Sequence, residues 1–347
     1  MTQFSLEFND LPPPPKPEAP RAVKKRATRA TTPLAPAAEL SLEAMAQRLE
    51  QDANFRVLRR LVPMDDYGPR QVAAESVERV APVLRVLVLD TETTGLSHQA
   101  DKIIELAMLM VSVDSATGLP FGPVECFEGF EDPGMPIPAM AKEVTGITDD
   151  MVRGMRLDDA AVERMVSGAD LVIAHNAGFD RPFVEGRFPC FAAKAWGCSF
   201  KDIDWKAAGA DSAKLSALAG DRGWFYDAHR AQVDCHALLQ VLTYPAGHSG
   251  LTGLSQLTTA ASQPSYKLSA NGSPFESKDV LKARGYRWEA EAKVWSRSLG
   301  DEAALEDEMA WLAEAVYGGR RATLEVERLD GHSRYAARRG QLDQRRL

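Results

Sequence analysis

The chain has 347 residues, 45% of them hydrophobic, enough for one large domain with appendages or two modest domains. Its net charge of −8, from 41 basic and 49 acidic residues, argues against a uniformly basic nucleic-acid binder, and no apolar run reaches the length of a membrane span. Four cysteines (Cys126, Cys190, Cys198, Cys235) lack Cys-x-x-Cys spacing, which points to reduced thiols in a cytoplasmic protein and away from a disulfide frame or zinc ribbon.

The start, MTQFSLEFND, does not read as a secretory leader. Residues 9–38 are rich in proline and alanine without hydrophobic period, so 1–38 is expected to be a disordered tail. From Glu39 to Leu61, Leu42, Met45, Leu49, Phe55, Leu58 and Leu61 recur at helical spacing behind a cap at Ser41, giving a helical lead-in over 39–82. The run Val86-Leu87-Val88-Leu89 then predicts a buried strand that ends at Asp90-Thr91-Glu92 and a Thr-Thr-Gly turn. Side chains alternate along a strand, so Asp90 and Glu92 point the same way. Two carboxylates that close repel each other unless a cation lies between them, and a hard divalent ion such as Mg²⁺ suits oxygen donors.

Lys102–Asp114 and Val124–Phe130 read as two further strands of an antiparallel meander, with Gly118-Leu119-Pro120 between them. Helices are expected over Ala139–Thr145 and Asp158–Val166. A short strand, Leu171–His175, runs into Asn176-Ala177-Gly178-Phe179-Asp180, where another helix begins, and Ala228–Leu242 reads as strongly helical. Strands first, then helices alternating with a strand, imply an α/β sheet flanked by helices.

Residues 246–264 are rich in glycine, serine and threonine and read as a linker. Residues 265–318 read as a compact segment in which Phe275, Tyr286, Trp288 and Trp295 lie among Lys278, Lys282, Arg284, Arg287 and Lys293, a pattern that resembles a small α/β module found in several DNA-handling proteins. The two tryptophans read best as a mini-core, whereas the lysines suit either solvent or nucleic acid. Residues 319–347 read as a basic tail: from 320 onward there are eight arginines against four acids.

Three segments carry chemistry. Asp90 and Glu92 form the first, Asp180 after His175-Asn176 the second, and His229 with Asp234 the third. His229 and Asp234 lie five residues apart, close enough for both to face one side of a helix. Four carboxylates can hold two divalent ions ~3.5–4 Å apart around a phosphodiester. A histidine titrates naturally near neutral pH and can take the proton of the attacking water.

In this order VLVLDTETTGL, AHNAGFD and HRAQVD resemble the three motifs of the DEDDh 3′–5′ exonucleases, a family that includes the epsilon proofreading subunit of DNA polymerase III. Gly146-Ile147-Thr148 fits the family's segment between the first two motifs. The resemblance covers about residues 83–243 and implies an exonuclease domain over 83–245. The implied fold is ribonuclease-H-like, a mixed central sheet flanked by helices, and the implied cofactors are two Mg²⁺ or Mn²⁺ ions. It also implies that Asp90 bridges both ions, that Glu92 and Asp234 hold the catalytic one, that Asp180 supports the second, and that His229 is the general base. Thr93, Thr94, Gly95 and Leu96 would meet the terminal nucleotide, while His175, Asn176 and Phe179 would line the strand's path. Thr145, where the family usually has histidine, and Trp196–Phe200 depart from the pattern without removing a carboxylate.

The expected activity is removal of nucleotides from single-stranded DNA 3′ ends in replication proofreading or repair. The alternatives are trimming of RNA by the same chemistry and a non-catalytic replisome subunit. Gln3, Leu6 and Phe8 also resemble the short peptides by which bacterial polymerases dock on the sliding clamp, which would make the clamp or a polymerase a partner.

Overall fold

The computed structural model describes residues 41–71, 81–246 and 250–347. The amino-terminal tail, with Gln3, Leu6 and Phe8, lies outside the described residues. Helix α1 spans Leu42–Glu50, shorter than its apolar period suggested, and the Ser41 hydroxyl caps it by accepting from the Ala44 N–H at 3.2 Å. The chain divides after Phe55, and the elements that follow form the second compact unit.

That unit opens with β1 (Arg59–Arg60), followed by β2 (Val83–Thr93), β3 (Ile103–Asp114) and β4 (Pro120–Phe130). Helices α2 (Ala139–Thr145), α3 (Asp149–Val152) and α4 (Asp159–Ser167) lead to β5 (Leu171–Ala174), α5 (Ala177–Arg187) and β6 (Ala195–Cys198). Then come α6 (Leu215–Asp221), β7 (Trp224–Phe225), α7 (Ala231–Leu242) and α8 (Gly253–Ser262). Strands β2 to β6 form a sheet in the order β4-β3-β2-β5-β6. The first three make the expected antiparallel meander, and β5 and β6 add in parallel.

Alternation along β2 and β3 sorts the core into two layers. Val86, Val88, Ala107 and Leu109 pack with Cys235, Leu238, Leu242 and Leu257 from α7 and α8. Leu87, Leu89, Leu106 and Met108 pack on the other face with Val162, Val166, Phe183 and Val184 from α4 and α5. Both faces of β2 are thus covered, which is why its sequence is a nearly unbroken apolar run.

Two stretches differ from expectation. The segment read as a linker contains α8, whose Thr252 cap and apolar Leu254 and Leu257 fasten it to the core. The stretch from 319 does not trail away as a tail: it contributes β11 (Thr323–Leu329) and β12 (Gln341–Arg346) to a second sheet. Together with β8 (Ser265–Ser269), α9 (Lys278–Arg284), β9 (Arg287–Glu289), β10 (Val294–Leu299) and α10 (Glu302–Ala315), they build an antiparallel sheet ordered β12-β11-β8-β10-β9. Leu324 and Val326, on either side of Glu325, alternate inward onto Leu268, Leu305 and Leu312. The module's core is built on these residues with Tyr266 and Tyr286. Trp295 packs at its margin and Trp288 is 51% exposed, so the tryptophans do not nucleate it.

The loop between β11 and β12 reaches back to the first sheet. The Trp196 N–H of edge strand β6 donates to the Gly331 carbonyl at 2.8 Å. Arg181, wholly buried in α5, donates to the carbonyls of His332 (2.7 Å) and Arg334 and to Glu185 (2.6 Å), with its guanidinium over the Trp196 ring.

Candidate active site

Asp90 and Glu92 continue the face of β2 that packs on α7, and Thr91 points the other way toward α5. Asp234 stands in the first turn of α7 and Asp180 in the first turn of α5. One oxygen from each of Asp90, Glu92 and Asp234 lies within 4.8 Å of the other two. Asp180 stands beside this trio: its Oδ1 accepts from the Thr91 hydroxyl at 2.8 Å and the Thr91 N–H at 3.2 Å.

The trio does not sit at ease. Burial, followed by the charges of Asp180, Asp234, Glu92 and Glu105, pushes the Asp90 carboxyl well above the ordinary range. Burial and then Asp234, Glu105 and Asp180 push Glu92 up to about 8. Burial raises Asp180 to about 7 against the opposing Thr91 hydrogen bonds. Asp234 is raised by burial too, although Tyr226 and the backbone N–H groups of Arg230 and His229 pull it back. Carboxyls clustered in this way, with raised pKa values, suit a site that holds a cation. The donors are all carboxylate oxygens, with no thiolate and no imidazole in the trio, which suits Mg²⁺ or Mn²⁺ better than a structural zinc.

His229 is placed differently from expectation. Helix α7 begins only at Ala231, so His229 and Asp234 do not share it. His229 has φ +68°, a left-handed turn, and Arg230 is extended. The turn folds the chain over Asp234, whose Oδ2 accepts from the His229 N–H at 2.8 Å and the Arg230 N–H at 3.2 Å. The imidazole is left exposed at the lip of a cleft of about 580 Å³. Asp90, Glu92, Asp180 and Asp234 line that cleft, as do His175, Asn176 and Phe179.

Thr93, Thr94, Gly95 and Leu96 lie outside the cleft's lining. The Thr93 hydroxyl donates to the Gly95 carbonyl at 2.6 Å, and the Thr94 hydroxyl donates to Asp101 at 3.1 Å. A Cβ at Gly95 would stand 2.6 Å from the Asp101 carboxylate, so a larger residue would displace the acceptor of the Thr94 hydroxyl. Thr93 and Thr94 are buried, Gly95 is half-buried, and Leu96 is 88% exposed. His175 Nδ1 lies 2.7 Å from the Ser199 hydroxyl, and burial lowers its pKa to about 4, so it is neutral near pH 7.

Sequence reasoning missed Glu105 and Tyr226. Glu105 is wholly buried on β3, opposite Glu92 in register. It accepts from the Arg230 guanidinium at 3.0 Å and caps α7 through the Ala231 N–H at 3.0 Å. A glutamate inside the apolar run Ile103–Val113 was the available signal, because a buried charge must have a partner. Tyr226 donates its hydroxyl to Asp234 Oδ1 at 3.1 Å and had no comparable signal.

An acidic cleft at the strand ends of a mixed α/β sheet flanked by helices places the chain among nucleases with a ribonuclease-H-like fold. Residues 87–242 match the exonuclease family (RNase T), an exonuclease domain within the chain. The chain is similar to the PolC-type DNA polymerase III of Listeria welshimeri, 43% identical over 99 residues, covering 28% of this chain and 6% of that protein. It is similar also to the PolC-type DNA polymerase III of Bacillus subtilis, 37% identical over 123 residues, covering 35% and 8%. The chain therefore spans less than a tenth of the length of these relatives. Among solved structures it is similar to exonuclease X in complex with 5′ overhanging duplex DNA (22% identity, TM-score 0.34, 49% of this chain and 99% of that one). Exonuclease I without ligand is a second (18% identity, TM-score 0.39, 53% and 49%). No helix among the described residues is long and apolar enough to cross a membrane.

Proposed function

We propose that the chain is a divalent-metal-dependent 3′–5′ exonuclease that removes single nucleotides from DNA 3′ ends, in the cytoplasm, during replication proofreading or repair. The observation that carries this reading is the convergence of Asp90, Glu92 and Asp234 within 4.8 Å inside an exonuclease domain, with His229 at the cleft's lip. Asp90, Glu92 and Asp234 would hold one Mg²⁺ or Mn²⁺, and Asp90 with Asp180 a second. When bound, such ions polarise the phosphodiester and ease deprotonation of water. His229 accepts the proton of the attacking water; the water oxygen bonds to phosphorus as the bond to the 3′ oxygen of the preceding nucleotide breaks. The His229–Asp234 backbone hydrogen bond keeps the imidazole in register with the carboxylates. His175, Asn176 and Phe179 line the path of the terminal nucleotide, and Leu96 wedges beside it. DNA is the favoured substrate because the relatives are DNA polymerases. A polymerase or sliding clamp is the proposed partner. Residues 83–245 are taken as the nuclease unit, followed by the small module.

The test is purified protein on 5′-labelled single-stranded DNA, duplex DNA and RNA with Mg²⁺, Mn²⁺ or EDTA. Stepwise shortening of DNA from the 3′ end with either ion, and none in EDTA, is expected. Activity persisting in EDTA would overturn the metal mechanism, and preference for RNA would overturn the substrate.

A further inference from the structure

A second cleft, of about 610 Å³, opens beside the acidic one. The two share two short stretches of chain. In α5, Phe179 and Asp180 line the acidic cleft, while Gly178 and Pro182 line its neighbour. In the loop after β6, Phe200 lines the first, and Lys201 and Asp202 line the second. The clefts therefore adjoin each other at the first turns of α5. The far wall belongs to the carboxy-terminal module, through Tyr266, Ser298 and Tyr335.

This wall is fastened to the nuclease. Besides Arg181 and Trp196, Arg338 donates to Glu185 at 2.7 Å and to the Ala192 carbonyl at 2.8 Å, and the Tyr335 hydroxyl donates to Asp202. Tyr335 has φ +65°, a costly conformation for a bulky residue that the surrounding bonds must hold. It places the ring 5.8 Å from the Lys201 ammonium. A Cβ at Gly178 would lie 3.7 Å from Lys201 Nζ and 3.9 Å from the Tyr335 ring, in ordinary contact with both walls of the cleft.

The charges favour an anion. Asp202 is engaged by the Cys198 N–H at 2.8 Å, by Tyr335 and by Arg334 at 3.8 Å. Lys201 is exposed and forms no ion pair among the described residues. His98 also lines this cleft. Lys201 directly follows Phe200 of the acidic cleft's lining, so a polyanion leaving that cleft along this loop would meet its ammonium.

We propose that the second cleft seats the nucleotides upstream of the scissile bond, with Lys201 meeting a backbone phosphate, so that the carboxy-terminal module forms half of the substrate channel. This rests on the nuclease reading above. It is tested on the full chain with Lys201→Glu and Ser298→Glu, one on each wall. The substrates are a 5′-labelled single-stranded oligonucleotide and p-nitrophenyl thymidine 5′-phosphate, which is too short to leave the acidic cleft. For both variants kcat/KM on the oligonucleotide is expected to fall about tenfold or more relative to that on the small ester, mostly through KM. The salt dependence of oligonucleotide binding should become shallower by about 0.7 for each phosphate no longer neutralised. Equal losses on both substrates, or no loss on either, would overturn the channel while leaving the nuclease intact. If the unaltered protein cleaves neither substrate, the nuclease reading fails and the channel fails with it.

Discussion

At the scale of single residues, the site is a set of carboxylates held against their preference. Removing one should abolish catalysis more readily than it unfolds the protein: Asp90→Ala is expected to lower kcat by roughly a hundredfold or more, about 3 kcal/mol, with thermal unfolding unchanged or improved. His229→Ala should cost on the order of 10²–10⁴ in kcat, the usual range for a lost general base, with little change in the metal concentration needed. Glu105→Gln is a sharper test of the positioning role. It keeps the volume but weakens the hold on Arg230 and α7, so Mn²⁺ affinity, followed by the free-ion resonance signal, is expected to weaken about tenfold. The pH dependence follows from Glu92, whose carboxyl is raised to about 8 in the fold from an ordinary 4.5. A raised carboxyl contributes stability below the unfolded value and loses it as pH rises through the folded one. The metal-free protein should therefore melt at lower temperature as pH climbs from about 5 to about 8. Added Mg²⁺ should raise the melting temperature more at the upper end, because it needs ionised ligands.

Among the elements, β2 was the most legible, whereas α7 begins three residues later than its pattern suggested, at Ala231 and not at Ala228. Strand β2 is buried on both faces, so apolar composition alone marks it, and its carboxylates fall where the run stops. The start of α7 depends on a left-handed turn at His229 and on Glu105 from another strand, which no local pattern announces. Helix α5 shows the same dependence. Asp180 was read from the motif, but its neighbour Arg181 finds its acceptors 151 and 153 residues away. Arg181→Met should cost about 3 kcal/mol by leaving those carbonyls and Glu185 without their buried donor, read as a loss of thermal stability. Near-unchanged stability would show that the β11–β12 loop is not a brace for α5.

For the molecule as a whole, the carboxy-terminal stretch is the main lesson. Its arginines read as a solvated tail because charge is visible in composition and strand pairing is not. Strand β11 pairs with β8 over Glu325–Leu329, and the loop beyond it grips the nuclease. Truncation at Gly319 should therefore unfold the module and lower the melting temperature of the remainder, whereas removal of a true tail would change neither. The amino-acid sequence by itself determined which carboxylates and which histidine form the candidate site, and in what order. Those signals are local: a run that stops, a turn, a spacing along a few residues. Only the tertiary structure decided that Glu105 and Arg230 bind the strand to α7, that His229 stands off that helix, and that the last 29 residues wall a second cleft beside the first. Those outcomes turn on pairings between residues more than a hundred positions apart, where burial and hydrogen bonding outweigh local propensity.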